Sequence, residues 1–102
     1  MLPIKKAAIA GTLESSDVQI SLEPNPGGGR NITLHSIVKM QFGDSILETV
    51  NRVLDEFDVR DATVVINDRG AIDIVIVSRM QAVICRACEI RYSWDKEDPH
   101  GN

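Results

Sequence analysis

Hydrophobic and polar residues alternate with a period of two in several short stretches of this chain, a pattern typical of strands with one buried face. The clearest stretch runs from residue 17 to residue 23, where every second residue is apolar. The segments with strand character are, in chain order, Ala7–Thr12, Asp17–Glu23, Asn31–Ser36, Ala62–Ile66 and Ala71–Val77. The first of these is small and apolar, which fits a short edge strand or an extended arm.

Two segments rich in turn residues join these strands. Pro24–Gly29 contains prolines and consecutive glycines and cannot continue a regular element, so it predicts a flexible hairpin loop. Asn67–Gly70 has the residue chemistry of a tight turn, which predicts a hairpin between Ala62–Ile66 and Ala71–Val77.

A helical period of 3.6 residues appears twice. Asp44–Phe57 carries a single apolar stripe, and Gly43 is expected to separate it from a turn or two of helix before it. Ser45 stands three residues before a glutamate, which is the spacing of a capping box at a helix start. A second helix is expected from Ser78, three residues before a glutamine, to about Ile90.

The resulting order, β-β-α-β-β-α, predicts an α+β fold. We expect a two-layer sandwich with a mainly antiparallel sheet of about four strands and two amphipathic helices on one face. The 102 residues, 43% of them hydrophobic, suffice for one domain with one modest core over residues 1–102. Residues 1–16 would form an N-terminal arm, and residues 95–102 a frayed tail.

The charge balance restricts the possible partners. Eleven basic residues stand against 15 acidic ones, a net charge of −4, which argues against nucleic acid and against anionic membranes. No apolar run approaches the length of about 20 residues that a membrane span needs. The first residues lack the order of a signal peptide. We therefore expect a cytoplasmic protein.

Cys85 and Cys88 form a C-x-x-C pair, which raises the question of metal or redox chemistry. Zinc would need two further ligands, and the only histidines are His35 and His100. A redox pair usually opens a helix, whereas this one lies inside a predicted helix. The pattern favours two small, half-buried helix residues, and it leaves their role open.

No catalytic centre is evident in the sequence. The sequence has no Gly-x-Ser-x-Gly nucleophile elbow. His35 falls on the outward face of its predicted strand, so a Ser–His–acid catalytic set built from Ser15 and His35 is geometrically possible but has no other support. Glu14 and Asp17 could be read as paired carboxylates, but a solvated polar face explains them better, because no aromatic residues are placed to line a sugar cleft. We expect a protein that is not an enzyme on its own.

The segment Ala10–Val18, with the sequence A-G-T-L-E-S-S-D-V, strongly resembles the prosthetic-group attachment site of the citrate lyase acyl carrier protein (gamma chain) family. Ser36–Gly43 and Val65–Ile72 support the resemblance, which covers almost the whole chain. It implies that Ser15 carries a covalent phosphoribosyl dephospho-coenzyme A group, 2'-(5''-phosphoribosyl)-3'-dephospho-CoA, through a phosphodiester. Ser16 is adjacent, so the resemblance leaves a one-residue ambiguity.

The same resemblance implies a non-catalytic carrier subunit of a lyase complex. The citrate lyase alpha subunit would exchange acetyl for citryl on the arm's thiol, and the beta subunit would split citryl into oxaloacetate and an acetyl thioester. A holo-carrier synthase would attach the arm. We expect Glu14 and Asp17 to take part in recognition by that synthase, and the acidic surface to dock on basic patches of partner enzymes.

Three alternatives stay open. Phe42–Leu47 resembles the Asp-Ser-Leu signature at which ordinary acyl carrier proteins take phosphopantetheine, which makes Ser45 a rival attachment site. Those carriers are helical bundles, however, and this chain has several strand patterns. The malonate decarboxylase acyl carrier protein uses the same prosthetic group as the citrate lyase carrier. Finally, the chain could be an unmodified α+β interaction module.

Overall fold

One sheet and two helices make up the chain in the computed structural model, which describes residues 1–91. The elements are β1 (Ala8–Gly11), β2 (Val18–Glu23), β3 (Arg30–Ser36), α1 (Lys39–Glu56), β4 (Ala62–Asp68) and α2 (Asp73–Cys88). The predicted α+β class, with four strands and two helices, is confirmed. The frayed tail predicted for residues 95–102 lies outside the described residues.

The strands follow the order β1-β2-β4-β3 across the sheet. The β1–β2 and β2–β4 pairs are antiparallel, whereas β3 runs parallel to β4. The sequence predicted that Pro24–Gly29 closes a hairpin between neighbouring strands, and this prediction is therefore wrong. The segment spans the width of β4, which lies between β2 and β3 and hydrogen-bonds to both.

One face of the sheet is buried under both helices. The register aligns Ile20 of β2 with Ile66 of β4 and with Leu34 of β3, and all three side chains are buried in the core. The helices contact each other as well as the sheet, which places them on the same face, as predicted. The opposite face is open, and His35 is exposed there, as its position in the alternation predicted.

The largest error of prediction concerns Ala71–Val77, which is the first part of α2 and not a strand. Both edges of β4 are already paired, so a hairpin partner would have no free hydrogen-bonding groups to meet. Ile72 and Ile74 are 68% and 70% exposed, while Ile76 is buried and begins the helical stripe. The stripe continues through Met80, Val83, Ile84 and Ala87.

The starts of both helices also differ from prediction. α1 begins at Lys39 and passes through Gly43, so Ser45 lies inside the helix and caps nothing. A Cβ on Gly43 would meet Lys39 Cγ at 3.3 Å and Leu34 Cδ2 at 3.8 Å. Gly43 is therefore a buried residue of α1 that faces Leu34 of β3, and it does not break the helix. Ser78 likewise lies inside α2, so its predicted capping box does not form.

Candidate functional site

Residues 12–17 connect β1 to β2 at one end of the sheet, and we call this segment the serine loop. Its entrance needs a glycine. Gly11 has a φ of +87°, and a Cβ there would overlap the carbonyl oxygen of Val18 and lie 3.2 Å from Arg79 Cδ. The missing side chain thus lets the two strands close tightly and lets Arg79 approach the loop.

Hydrogen bonds within the serine loop give it a defined shape. The Glu14 backbone N–H donates to Thr12 Oγ1 at 3.2 Å, and the Asp17 backbone N–H donates to the Glu14 carbonyl at 3.1 Å. The Thr12 hydroxyl in turn donates to Asp17 Oδ2 at 2.7 Å. The loop is therefore a closed turn, folded over the Asp17 side chain.

The connection between β4 and α2 braces the serine loop from the side. The Ser16 backbone N–H donates to the Arg69 carbonyl at 2.8 Å, and the Arg69 N–H donates to the Asp17 carbonyl at 2.9 Å. Asp68 holds that connection, because its carboxylate accepts the Ser36 hydroxyl at 2.7 Å and the Ala71 N–H at 3.0 Å. Serine loop and connection thus form one hydrogen-bonded unit.

A two-point ion pair ties the serine loop to α2. Arg79 Nε and Nη2 donate to the two carboxylate oxygens of Asp17 at 3.0 and 2.9 Å. Hydrogen bonds from Arg79, from Thr12 and from the Val18 N–H hold the pKa of Asp17 well below its usual range. The same pairing raises the pKa of Arg79.

This geometry changes the interpretation of Asp17. Its side chain is only 13% exposed, and its oxygens accept bonds from inside the protein, so it shapes the loop more readily than it meets an approaching enzyme. Glu14 is exposed and available for such contact. Sequence reasoning missed Arg79, because its partner lies 62 positions away and nothing local marks it.

Ser15 and Ser16 are both exposed near the tip of the loop, but they are held differently. Ser16 adopts a left-handed backbone with a φ of 66°, and its N–H is engaged with Arg69. Within residues 1–91 the Ser15 hydroxyl makes no hydrogen bond. Ser15 therefore presents a free hydroxyl from a fixed backbone.

The other sequence candidates lie on the helices and not in this loop. Ser45 is exposed within α1, and its carbonyl accepts the Thr49 hydroxyl at 3.1 Å. Cys85 and Cys88 lie in α2, and Cys85 is half-buried as predicted, whereas Cys88 is fully buried. Burial together with the neighbouring Cys85 raises the pKa of the Cys88 thiol. Among residues 1–91, no group of three or more metal-ligating side chains is placed to hold an ion.

Exposed apolar side chains collect at the end of the sheet that carries the serine loop. They are Leu13 in the loop, Ile37 after β3, Met40 and Phe42 in the first turn of α1, and Ile72 before α2, and we call them the apolar rim. Their exposure runs from 52% to 96%. Grouped apolar exposure of this kind marks an interaction surface more often than a solvated one.

Comparison with known proteins shows which family the chain resembles. Residues 5–87 match the acyl carrier family described as the malonate decarboxylase delta subunit (MdcD). A citrate lyase acyl carrier protein of Vibrio cholerae (strain M66-2) is 49% identical over 90 residues, which is 88% of this chain and 92% of the relative. The chain belongs to the citrate lyase acyl carrier protein family. A family member from Clostridium perfringens is 44% identical over 91% of this chain and 93% of its own.

The fold is shared with a solved structure as well. One chain of the Pseudomonas malonate decarboxylase hetero-tetramer, solved in complex with malonate, superposes with a TM-score of 0.69 over 83% of this chain and 87% of its own. At 20% identity this likeness concerns the fold alone. Neither helix within residues 1–91 is long and apolar enough to cross a membrane.

Proposed function

We propose that this chain is the acyl carrier subunit of a citrate lyase and that Ser15 Oγ carries phosphoribosyl dephospho-coenzyme A through a phosphodiester. One observation supports this above all: a free, exposed serine hydroxyl on a braced loop, in a chain 49% identical to a citrate lyase acyl carrier protein. The terminal thiol of the group would carry acetyl and citryl as thioesters between the alpha and beta subunits of the lyase.

The residues of the serine loop fit such a group. Ser15 is exposed, so a phosphodiester can form there without displacing any core side chain. The bonds to Arg69 and Arg79 hold the loop from two sides, so that a modifying enzyme meets the hydroxyl in one place. Ser16 is the less suitable site, because its backbone is already fixed against Arg69.

The apolar rim supports a role as a subunit of a complex. The holo-carrier synthase must reach Ser15 at this end of the molecule, and a partner subunit that docks here would cover Leu13 and the neighbouring apolar side chains. Burial of apolar surface then supplies much of the docking free energy. Glu14, exposed beside Ser15, is our candidate for recognition by the holo-carrier synthase, and the cytoplasm is the compartment we propose.

A malonate decarboxylase carrier is the second candidate, favoured by the description of the matching family. Binding to separately purified partners distinguishes the two. A citrate lyase carrier binds citrate lyase alpha and beta subunits more tightly than malonate decarboxylase subunits, and the reverse order would favour the second candidate.

Intact mass with peptide mapping tests the attachment, after co-expression with a citrate lyase holo-carrier synthase and the enzyme that makes its precursor. We expect one phosphoribosyl dephospho-coenzyme A increment on the wild-type chain and on Ser16→Ala and Ser45→Ala, and none on Ser15→Ala. An increment that disappears only in Ser16→Ala or Ser45→Ala would move the site. Its absence from the wild-type chain, with both enzymes active on a known carrier, would leave an unmodified interaction module.

A further inference from the structure

A shallow hollow of about 390 Å³ lies beside the serine loop, between the loop and the ends of β3 and β4. Leu13 and Ile37 contribute its apolar walls, while His35, Asn67 and Arg69 contribute polar side chains. His35 and Asn67 are direct partners in the pairing of β3 with β4. The hollow therefore combines hydrogen-bond donors with apolar surface beside the serine loop, and the attachment itself does not require it.

Arg69 is the residue of the hollow whose position is best defined. Its carbonyl accepts the Ser16 N–H at 2.8 Å and its N–H donates to the Asp17 carbonyl at 2.9 Å, so its backbone lies directly against the serine loop. Its side chain is exposed and makes no hydrogen bond or ion pair within residues 1–91. The guanidinium is free to turn towards a group on Ser15.

Of the two arginines that contact the serine loop within residues 1–91, Arg69 is the one whose side chain has no partner. Arg79 is engaged with Asp17 and is neutralised by it. Asp68 also lines the hollow, but it is 1% exposed, and its carboxylate oxygens accept the Ser36 hydroxyl and the Ala71 N–H. Glu14 is exposed and can turn away from a neighbouring anion. A phosphate ester on Ser15 would bring negative charge next to Arg69.

We infer that the hollow binds the phosphate ester carried by Ser15, with Arg69 as the cationic partner and His35 and Asn67 as hydrogen-bond donors. Arginine suits this role, because its planar fork of N–H groups matches the oxygens of a phosphate. The covalent link keeps the phosphate at high effective concentration, so that one arginine suffices. The first part of the arm then leaves the loop in a fixed direction, across Leu13 and Ile37. This inference rests on the proposed attachment at Ser15.

Phosphorus NMR of the modified protein tests the inference, with intact mass measured on the same samples. Arg69→Gln is compared with Arg52→Gln, in which an exposed arginine of α1, likewise without a side-chain partner in the described chain, is lost. We expect the serine-linked phosphodiester signal to shift in Arg69→Gln and to stay in place in Arg52→Gln. In 1 M salt the wild-type signal should move towards that of Arg69→Gln, because salt screens the contact.

Each outcome has a separate meaning. An unmodified wild-type mass would refute the attachment, and with it this inference. A modified Ser15 with the same phosphorus signal in the wild-type protein and Arg69→Gln would overturn the inference alone. So would equal shifts in both variants, which would indicate general charge effects. Arg69→Lys, which keeps the charge but loses the fork, should give an intermediate shift, and far-UV circular dichroism checks that every variant is folded.

Discussion

The ion pair between Asp17 and Arg79 determines how firmly the serine loop is held, and Asp17→Asn tests it. The substitution keeps the shape of the side chain but removes its charge from a group that accepts four hydrogen bonds. Breaking a buried pair costs about 3–5 kcal/mol, whereas an exposed pair contributes about 0–1 kcal/mol. The two side chains are 13% and 39% exposed, which is between these limits. We therefore expect the free energy of unfolding to fall by about 2 kcal/mol.

The effect should depend on pH with a definite sign. The folded protein holds the pKa of Asp17 below the ordinary value of 3.8, so the unfolded chain takes up the proton first as the pH falls. The stabilising contribution is complete above about pH 5 and is lost as the pH falls towards the folded-state pKa. The difference between the wild-type protein and Asp17→Asn should therefore be largest at pH 7 and smaller at pH 3. Urea unfolding followed by far-UV circular dichroism at both pH values measures it.

A matched control comes from the other end of the domain. Asp55 accepts one hydrogen bond from Arg30 at 2.8 Å, but its side chain is 70% exposed, so Asp55→Asn should change stability by no more than about 0.5 kcal/mol. At pH 7 the melting temperature of Asp17→Asn should fall by roughly 10 °C. The role assigned to the pair would be refuted if Asp17→Asn unfolded at the same urea concentration as the wild-type protein. It would also be refuted if the difference in their free energies of unfolding did not become smaller at pH 3.

Two further predictions concern the loop entrance and the apolar rim. Gly11→Ala should lower the free energy of unfolding by about 3 kcal/mol. The alanine would be strained by its left-handed backbone, and its Cβ would overlap the Val18 carbonyl oxygen. Gly29→Ala, at a similar φ but in open space, should lose about 1 kcal/mol. Equal losses in thermal unfolding would contradict the steric argument. Phe42→Ser should weaken binding to partner subunits about tenfold in calorimetry. Ile9→Ser, which removes a side chain equally exposed at 57%, should leave binding unchanged, and equal effects of the two would place the interface elsewhere.

The parts of the fold that the sequence predicts are those with local causes. The alternation in β2 and the apolar stripe of α1 arise within a few residues, so pattern alone identifies them. Ala71–Val77 misleads because β-branched residues in alternation describe a strand locally. Whether such a stretch becomes one depends on a free sheet edge, and β2 and β3 occupy both sides of β4. Gly43 misleads in the same way, since it lies buried inside α1 and does not end a helix.

The candidate site likewise has some features that the sequence predicts and others that it does not. An exposed Ser15 beside an exposed Glu14 follows from a polar loop between short strands. The inward direction of Asp17 cannot be predicted in this way, because it depends on Arg79, which is distant in the sequence. The hydrogen bonds to Arg69 cannot be predicted either, because they involve only backbone atoms.

The distance in sequence between Asp17 and Arg79 bears on the order of synthesis, folding and modification. Ser15 leaves the ribosome early, yet the residue that pins its loop through Asp17 is 62 positions downstream of that aspartate. Until α2 has been synthesised and has docked, the loop lacks the contact between Asp17 and Arg79. A synthase that recognises the shape of the serine loop would therefore act after folding, and would attach the arm only to chains in which α2 is in place.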